Sequence, residues 1–214
     1  MNFKTDNRTL KLATSLAKNT KNSITHQKVL HTLSHYPHPD VRKAVAGNKN
    51  TRQDILTKLS DDPNEDVRSA VAYHNNTHQD ILTKLSDDPN EHVLRAVASN
   101  NNTHKDTLHK LSDHTDPFNT DDVRIAVANH NNTHQDTLHK LASDPNPDVR
   151  WDVTFNNNTH QDTLHKLSND PDKYIRRAVA LNNNTHQDTL HKLSDDPDYD
   201  VRRAAKLRLQ LNLD

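Results

Sequence analysis

Residues 182–204 read NNNTHQDTLHKLSDDPDYDVRRA, and variants of this unit make up most of the chain. The valine or isoleucine before the recurrent arginine repeats every 26 residues, with one interval of 30. These positions are Val41, Val67, Val93, Val123, Val149, Ile175 and Val201. The longer interval comes from four inserted residues near residues 114–119. A period of this length is typical of repeat arrays, in which each unit packs mainly on its neighbours.

The composition fits a thin array better than a compact globule. The 214 residues are 30% hydrophobic and 4% aromatic, with a mean hydropathy of −1.08. A formal net charge of −1 and regular apolar spacing argue against disorder. The absence of cysteine excludes disulfides, thiolate metal sites and iron–sulphur clusters, and a single glycine excludes glycine-rich phosphate loops. With no apolar signal region and no run of membrane length, we expect a cytoplasmic protein that does not enter a membrane.

Two short helices are predicted in each unit. Val67, Ala70 and Val71 fall at i, i+3 and i+4, which predicts one apolar stripe on the first helix. Thr77 is predicted to cap the second helix, with Asp80 completing a capping box. The buried face of that second helix consists of a pair of leucines, such as Leu82 and Leu85. Helices this short are unstable alone, so stacking must hold them.

Asparagines link the two helices of each unit. They tolerate the left-handed backbone that often ends a helix, and their amides can bond freed carbonyls. The residue before each threonine is expected to form a polar row: Asn50, Asn76, Asn102, Asn132, Asn158 and Asn184.

The recurrent pattern is Val-Arg-x-x-Val-Ala-x-Asn-x-Asn-Thr-x-x-x-x-Leu-x-x-Leu-x-x-Asp-Pro, and it resembles the variant leucine-rich repeat over about residues 10–206. That resemblance implies units that pair an α-helix with a 3₁₀-helix in a right-handed superhelix without a sheet. The chain departs from the family in one column, where the family usually has proline: His78, His104, His134, His160 and His186. The Asp-Pro…Val-Arg-x-Ala portion also resembles HEAT-type repeats, whose helices are longer. We predict an all-α, right-handed α-solenoid of about seven short two-helix repeats (an α-helix plus a short α- or 3₁₀-helix), with no β-sheet.

The same repeat pattern predicts the domain organisation. Residues 1–214 form one repeat domain, in which residues 1–35 are a degenerate N-terminal capping repeat. Residues 36–200 hold the regular repeats, and residues 201–214 are predicted to form a C-terminal capping helix. Terminal repeats need such polar outer faces because they have a neighbour on one side only.

Histidine is abundant, with 17 residues. At 100° per residue, His78 is predicted to lie over the leucine stripe. A second column is predicted on the solvent side: His109, His139, His165 and His191. Stacked helices lie roughly 8–10 Å apart, so at most two imidazoles from a column could share a metal ion. We therefore predict no metal site, and we expect acidification to loosen the array by charge repulsion.

Arginine follows the valine in every regular unit but one: Arg42, Arg68, Arg124, Arg150, Arg176 and Arg202, with Leu94 as the exception. One interpretation is a structural ladder with the aspartate column Asp40, Asp66, Asp122, Asp148 and Asp200, and with the aspartate before each proline. The other is a basic stripe that grips an acidic peptide or a phosphate backbone. A pI of about 7.0 argues against dedicated nucleic-acid binding.

One unit breaks the pattern at Trp151, Asp152 and Phe155. Asp152 stands where other units have a small apolar residue, and such a carboxylate is costly unless it is paired. We therefore expect Arg124, Arg150 or Arg176 to lie beside it.

Breaks in a consistent pattern often mark function, so this unit is the candidate partner-binding site. The candidate residues are Arg124, Arg150, Trp151, Asp152, Phe155 and Arg176, with Phe118 in the inserted loop. Sequence drift balanced by a local salt bridge is the alternative interpretation.

The predicted function is a non-enzymatic scaffold for protein–protein interaction. We expect a protein or peptide partner, no cofactor, and a monomer or weak oligomer. No nucleophile elbow, phosphate loop or zinc-protease helix is present in the sequence. The alternative is a nucleic-acid-binding, HEAT-like protein of the DNA-repair type, because HEAT-like DNA glycosylases use tryptophan and aspartate in a groove.

Overall fold

The computed structural model describes residues 7–21, 23–115 and 121–211. In these residues it contains fifteen α-helices and no strand, which confirms the predicted all-α fold. The helices are α1 (Asn7–Asn19), α2 (Ile24–Leu33), α3 (Pro39–Ala46), α4 (Gln53–Leu59), α5 (Glu65–Tyr73), α6 (Gln79–Leu85), α7 (Glu91–Ser99), α8 (Lys105–Leu111), α9 (Asp122–Asn129), α10 (Gln135–Leu141), α11 (Pro147–Phe155), α12 (Gln161–Leu167), α13 (Lys173–Leu181), α14 (Gln187–Leu193) and α15 (Tyr199–Leu211).

The chain forms two compact units, residues 1–107 and 108–214. In unit 1 the first helices of successive repeats, α1, α3, α5 and α7, pack on one another in chain order. In unit 2 the same layer is made by α9, α11, α13 and α15. The second helices α2, α4, α6, α10, α12 and α14 pack against the odd-numbered helices that flank them. Each unit is therefore a solenoid-like stack of two-helix repeats, as predicted.

The core of each stack consists of the predicted apolar columns. The valines that begin each first-helix stripe are buried, and so are the two leucine columns of the second helices. Fully buried leucines include Leu56, Leu82, Leu138, Leu164 and Leu190. Each such side chain contributes about 2 kcal/mol through burial. Because the helices are two turns long, stability depends on these contacts between repeats.

Both helices of each described repeat are α-helical, and the second helix is seven residues long in α4, α6, α10, α12 and α14. The 3₁₀-helix that the family resemblance implies is therefore not seen in the described repeats. The last helix, α15, is 13 residues long.

The predicted cap of the second helix is wrong by one residue. His78, and not Thr77, is the N-cap of α6, and its Nδ1 accepts a hydrogen bond from the amide of Asp80 at 3.5 Å. Thr77 is buried, and its hydroxyl donates to the carbonyl oxygen of Val71 at 2.6 Å. The threonine thus satisfies a carbonyl at the end of the first helix. Equivalent bonds are donated by Thr51, Thr103, Thr133, Thr159 and Thr185.

The cap also decides where the histidines lie. The side chain of His78 is 65% exposed and does not lie over the leucine stripe, so that prediction is wrong. An N-cap side chain folds back onto the first-turn amides instead of projecting from a helix face. The second column is exposed as predicted, but three of its rings contact a threonine of the next repeat: His109, His139 and His165. His139 Nδ1, for example, lies 3.0 Å from Thr163 Oγ1.

Candidate functional site

The arginines of the first helices pair across the repeat interface. Arg150 in α11 donates from Nε to Oδ2 of Asp170 at 2.7 Å and from Nη2 to Oδ1 at 3.1 Å. The arginine side chain is 13% exposed and the aspartate 4%. The same bidentate pair recurs as Arg42–Asp62, Arg68–Asp88, Arg124–Asp144 and Arg176–Asp196. Each aspartate is the one before a proline, which confirms that half of the structural interpretation.

The other half of that interpretation is wrong for Asp40, Asp66, Asp148 and Asp200, which do not pair with these arginines. Asp66 pairs instead with Lys43 at 3.1 Å. The arginines reach instead the turn before the proline in the following repeat. Arg124, Arg150 and Arg176, which the sequence offered as partner-binding residues, are each held in such a pair.

The ion pairs change the acidity of the aspartates. Burial opposes the ionisation of Asp62, but hydrogen bonds from Arg42 and from the amide of Asn64, with the charges of Arg42 and Arg68, outweigh it. The pKa of Asp62 is therefore lowered. The pKa of Asp196 is lowered in the same way: burial is outweighed by Arg176 and by the amide of Asp198. These carboxylates are ionised and bound at neutral pH.

One arginine position lacks this pair in the sequence. Leu94 replaces the arginine. In the following unit His114 stands at the position where the partner aspartate is found in the other units. Both members of the pair have changed, so neither charge is left buried without its partner.

A column that the sequence interpretation missed lies at the end of each first helix. Asn156 is 4% exposed and donates from Nδ2 to the carbonyl oxygens of Ala128 at 2.7 Å and His130 at 3.0 Å. Its Oδ1 accepts from the amide of Asn158 at 2.9 Å. The equivalent residues are Asn48, His74, Asn100, His130 and Asn182. The presence of asparagine or histidine at this position in every one of these repeats was the feature of the sequence that could have revealed the column.

Histidine performs the same role as asparagine in this column. His74 Nε2 lies 3.0 Å from the carbonyl oxygen of Asn48, and its Nδ1 accepts from the amide of Asn76 at 3.1 Å. The neutral ring with its proton on Nε2 satisfies both contacts. The predicted outer asparagine row also bonds across the interface, since Asn158 Nδ2 donates to the carbonyl oxygen of Asn131 at 2.5 Å.

The pattern break in α11 is not neutralised by a nearby arginine. Asp152 is half-buried and makes no hydrogen bond or ion pair with any residue in the described ranges. Arg150, two residues away, projects from nearly the opposite side of the helix toward Asp170. Burial first, and then the charge of Asp148, raise the pKa of Asp152. The predicted arginine partner is therefore wrong.

Two aromatic side chains flank Asp152 on the outside of α11. The rings of Trp151 and Phe155 lie 5.0 Å apart at an angle of 49°, one helical turn from each other. Trp151 is 36% exposed and Phe155 is 52% exposed. An aromatic pair that faces solvent is a common feature of recognition surfaces.

The exposed apolar surface continues onto the next two helices. Leu181 in α13 and Leu207 in α15 hold the same repeat position as Phe155, and they are 44% and 54% exposed. Because α13 packs between α11 and α15, these three residues follow one line across the stack, here called the outer apolar row. In unit 1 the equivalent positions hold Gly47 just after α3, Tyr73 in α5 and Ser99 in α7, so no such apolar row is formed there.

Charged side chains border this row. Arg177 and Arg203 occupy the position that Trp151 has in α11, and Lys206 precedes Leu207. All three cations are exposed, and none makes an ion pair or hydrogen bond with a described residue. A cleft of about 400 Å³ at α15 is lined by Tyr199, Arg202, Arg203, Lys206, Leu207 and Gln210.

The remaining sequence candidate, Phe118, lies outside the described residues. Among residues 7–21, 23–115 and 121–211, no group of three or more His, Cys, Asp or Glu side chains is placed to hold a metal ion. No helix in the described part of the chain is long and apolar enough to cross a membrane.

These features define the class: a helical repeat protein with polar ladders between its repeats. Residues 65–90 match the family model for the leucine rich repeat variant. A solved structure described as a leucine-rich repeat variant with a novel repetitive protein structural motif is similar, with a TM-score of 0.65 at 24% identity over 94% of this chain and 84% of that chain. The predicted resemblance to the leucine-rich repeat variant is thereby confirmed.

Designed repeat proteins show a weaker similarity. A designed armadillo repeat protein has a TM-score of 0.33 at 19% identity, over 94% of this chain and 98% of that one. No functionally curated protein matches the chain.

Proposed function

We propose that this protein is a non-enzymatic scaffold that binds a protein or peptide partner through the outer faces of α11, α13 and α15. The observation that carries the proposal is the outer apolar row, Phe155, Leu181 and Leu207, together with Trp151. An apolar surface left open across three helices, rimmed by polar side chains, is typical of interaction sites.

The scaffold holds this surface in a defined geometry. Arg150 and Arg176 tie their helices to the turns that precede α13 and α15 through Asp170 and Asp196. Buried Asn156 and partly buried Asn182 add hydrogen bonds between successive repeats. A surface on such rigid elements binds without a large ordering cost.

The arginine ladder weakens the nucleic-acid alternative. Binding to a phosphate backbone requires cations that can exchange counterions for phosphates. The arginines of the column in α3, α5, α9, α11 and α13 are paired with aspartates of the protein itself. Their charges are therefore used within the fold.

A peptide-display selection tests the proposal. Peptides are selected from a random library on the wild-type protein, and their affinities are measured by calorimetry. The F155S/L181S double variant should bind the selected peptides about tenfold more weakly or worse, because two apolar anchors are lost. Its melting temperature should stay close to that of the wild type, since both side chains are exposed.

The matched control is Tyr73→Ser, which alters an exposed apolar side chain at the equivalent position of unit 1. This variant should bind the selected peptides like the wild type. Equal binding by the double variant, or a selection that yields no binder, contradicts the proposal. Binding of duplex DNA that weakens steeply with salt would support the nucleic-acid alternative instead.

A further inference from the structure

We infer that the partner of this surface is an extended polypeptide segment with its charges separated, basic where it meets α11 and acidic where it meets α13 and α15. The segment carries apolar side chains for the outer apolar row between its charged ends. This inference rests on the proposed binding function and adds the chemistry of the partner.

The α11 end of the surface presents carboxylates without a cation. Asp152 and Asp148 are one helical turn apart, burial and then the charge of Asp148 disfavour ionisation of Asp152, and neither side chain is paired with a described residue. Trp151 and Phe155 lie beside them with their rings exposed. A guanidinium or ammonium group from a partner could pair with Asp152 and lie on an aromatic face. The ion pair and the cation–π contact both favour a cation at this place.

The other end presents exposed cations that no carboxylate of the described residues pairs with. Arg177, Arg203 and Lys206 are exposed and unpaired among the described residues, unlike Lys43 of unit 1, which pairs with Asp66. Asp198 pairs with Lys173 at 3.2 Å, and Asp200 is the acidic residue in the first turn of α15. Acidic side chains of a partner would therefore meet a local excess of positive charge.

The spacing of the row suits an extended chain. Packed helices lie roughly 8–10 Å apart, so Phe155, Leu181 and Leu207 offer apolar contacts at about that interval. A polyproline-II chain rises about 3.1 Å per residue, so every third side chain faces the same way after about 9 Å. A segment with apolar residues three apart would place one of them at each helix.

The charge pattern also bears on the other possible occupant, a second copy of this chain. Two copies related by a twofold axis could set acidic ends against basic ends. We favour the peptide because the cleft beside Leu207 has a volume of about 400 Å³, which suits a single segment. A stable dimer needs roughly 800 Å² of buried surface on each partner.

Synthetic peptides of fixed composition test the inference with the full chain. The probes carry leucines three residues apart, with arginines at one end and glutamates at the other, in both chain directions. A third peptide has the same residues with arginine and glutamate alternating. Trp151 is the single tryptophan of the chain, so its emission reports binding at the surface.

One of the two charge-separated peptides should bind about tenfold more tightly than the alternating peptide. Asp152→Asn and the R177Q/R203Q double variant should each remove most of that advantage, because each removes the charge at one end. Asp136→Asn, which changes an exposed carboxylate of α10, should leave the affinities unchanged.

Equal affinities for all three peptides would overturn the charge assignment while leaving a binding surface in place. If neither these probes nor the display-selected peptides bind, the proposed function itself fails. Concentration-dependent dimerisation that is abolished by the F155S/L181S change would assign the surface to a second copy and overturn the peptide assignment.

Discussion

The guanidinium of Arg150 and the carboxylate of Asp170 form a two-point pair, with Nε to Oδ2 at 2.7 Å and Nη2 to Oδ1 at 3.1 Å. The remaining Nη1 donates to the carbonyl oxygen of Asp144 at 2.8 Å. One side chain of α11 thus joins the segment after α10 to the segment after α12 in the next repeat. In a chain with 30% hydrophobic residues, polar links of this kind supplement a thin core.

Breaking this pair should destabilise unit 2. Arg150→Leu leaves the carboxylate of Asp170 buried without its partner, and removal of one member of a buried pair costs about 3 kcal/mol. Asp170→Asn should cost a similar amount. Urea denaturation of each variant measures the loss.

The control is the double variant R150L/D170H, which copies the residues that occur at Leu94 and His114. Its loss should be smaller than the sum of the two single losses, because no buried charge is left alone. A cost below about 0.5 kcal/mol for the single variants would mean that the pair behaves like an exposed salt bridge, contrary to its burial.

Replacement of Asp152 by alanine, the residue of that column in most repeats, should stabilise the protein at pH 7 by about 1 kcal/mol. Alanine has the higher helix propensity, and the change removes a half-buried carboxylate that has no partner among the described residues. Thermal denaturation of the variant and the wild type compares their free energies of unfolding.

The advantage of the Asp152→Ala variant should depend on pH with a definite sign. Folding raises the pKa of Asp152, so the ionised form destabilises the fold above the folded pKa, and this cost disappears as the pH falls through it. The two melting curves should therefore converge as the pH is lowered from 7. Asp196, whose pKa is lowered, acts in the opposite sense: its stabilisation is lost as the pH falls below about 3.9 and through its folded pKa. A difference in stability between the Asp152→Ala variant and the wild type that stays constant or widens on acidification would contradict the burial of Asp152.

Asn156→Ala should cost about 2 kcal/mol, because it leaves the buried carbonyls of Ala128 and His130 and the amide of Asn158 without their side-chain partner. Asn156→His should cost much less, since His74 makes the equivalent contacts in another repeat. Chemical denaturation with both variants measures the difference. Equal losses would show that histidine and asparagine are not interchangeable at this position.

The candidate site could be predicted from the sequence only in part. Trp151, Asp152 and Phe155 were recognisable because they break a pattern shared by the other repeats. Leu181 and Arg177 could not be recognised from the sequence, since a single leucine or arginine on a helix does not by itself indicate a binding site. Their alignment with Phe155 and Trp151 appears only when α13 is packed beside α11.

The amino-acid sequence by itself determined the period, the two helices of each repeat, and the leucines and valines that are buried. Each of these depends on side chains within one or two helical turns, so local spacing carries the information. Only the tertiary structure decided which aspartate each arginine binds, that His78 and not Thr77 caps α6, and that Asp152 lacks an arginine partner. The arginine–aspartate pairs join residues 20 positions apart, so they depend on which groups stacking brings together, and chain periodicity alone does not specify that. The cap is a local contact, and it falls to His78 because the hydroxyl of Thr77 donates instead to the carbonyl oxygen of Val71.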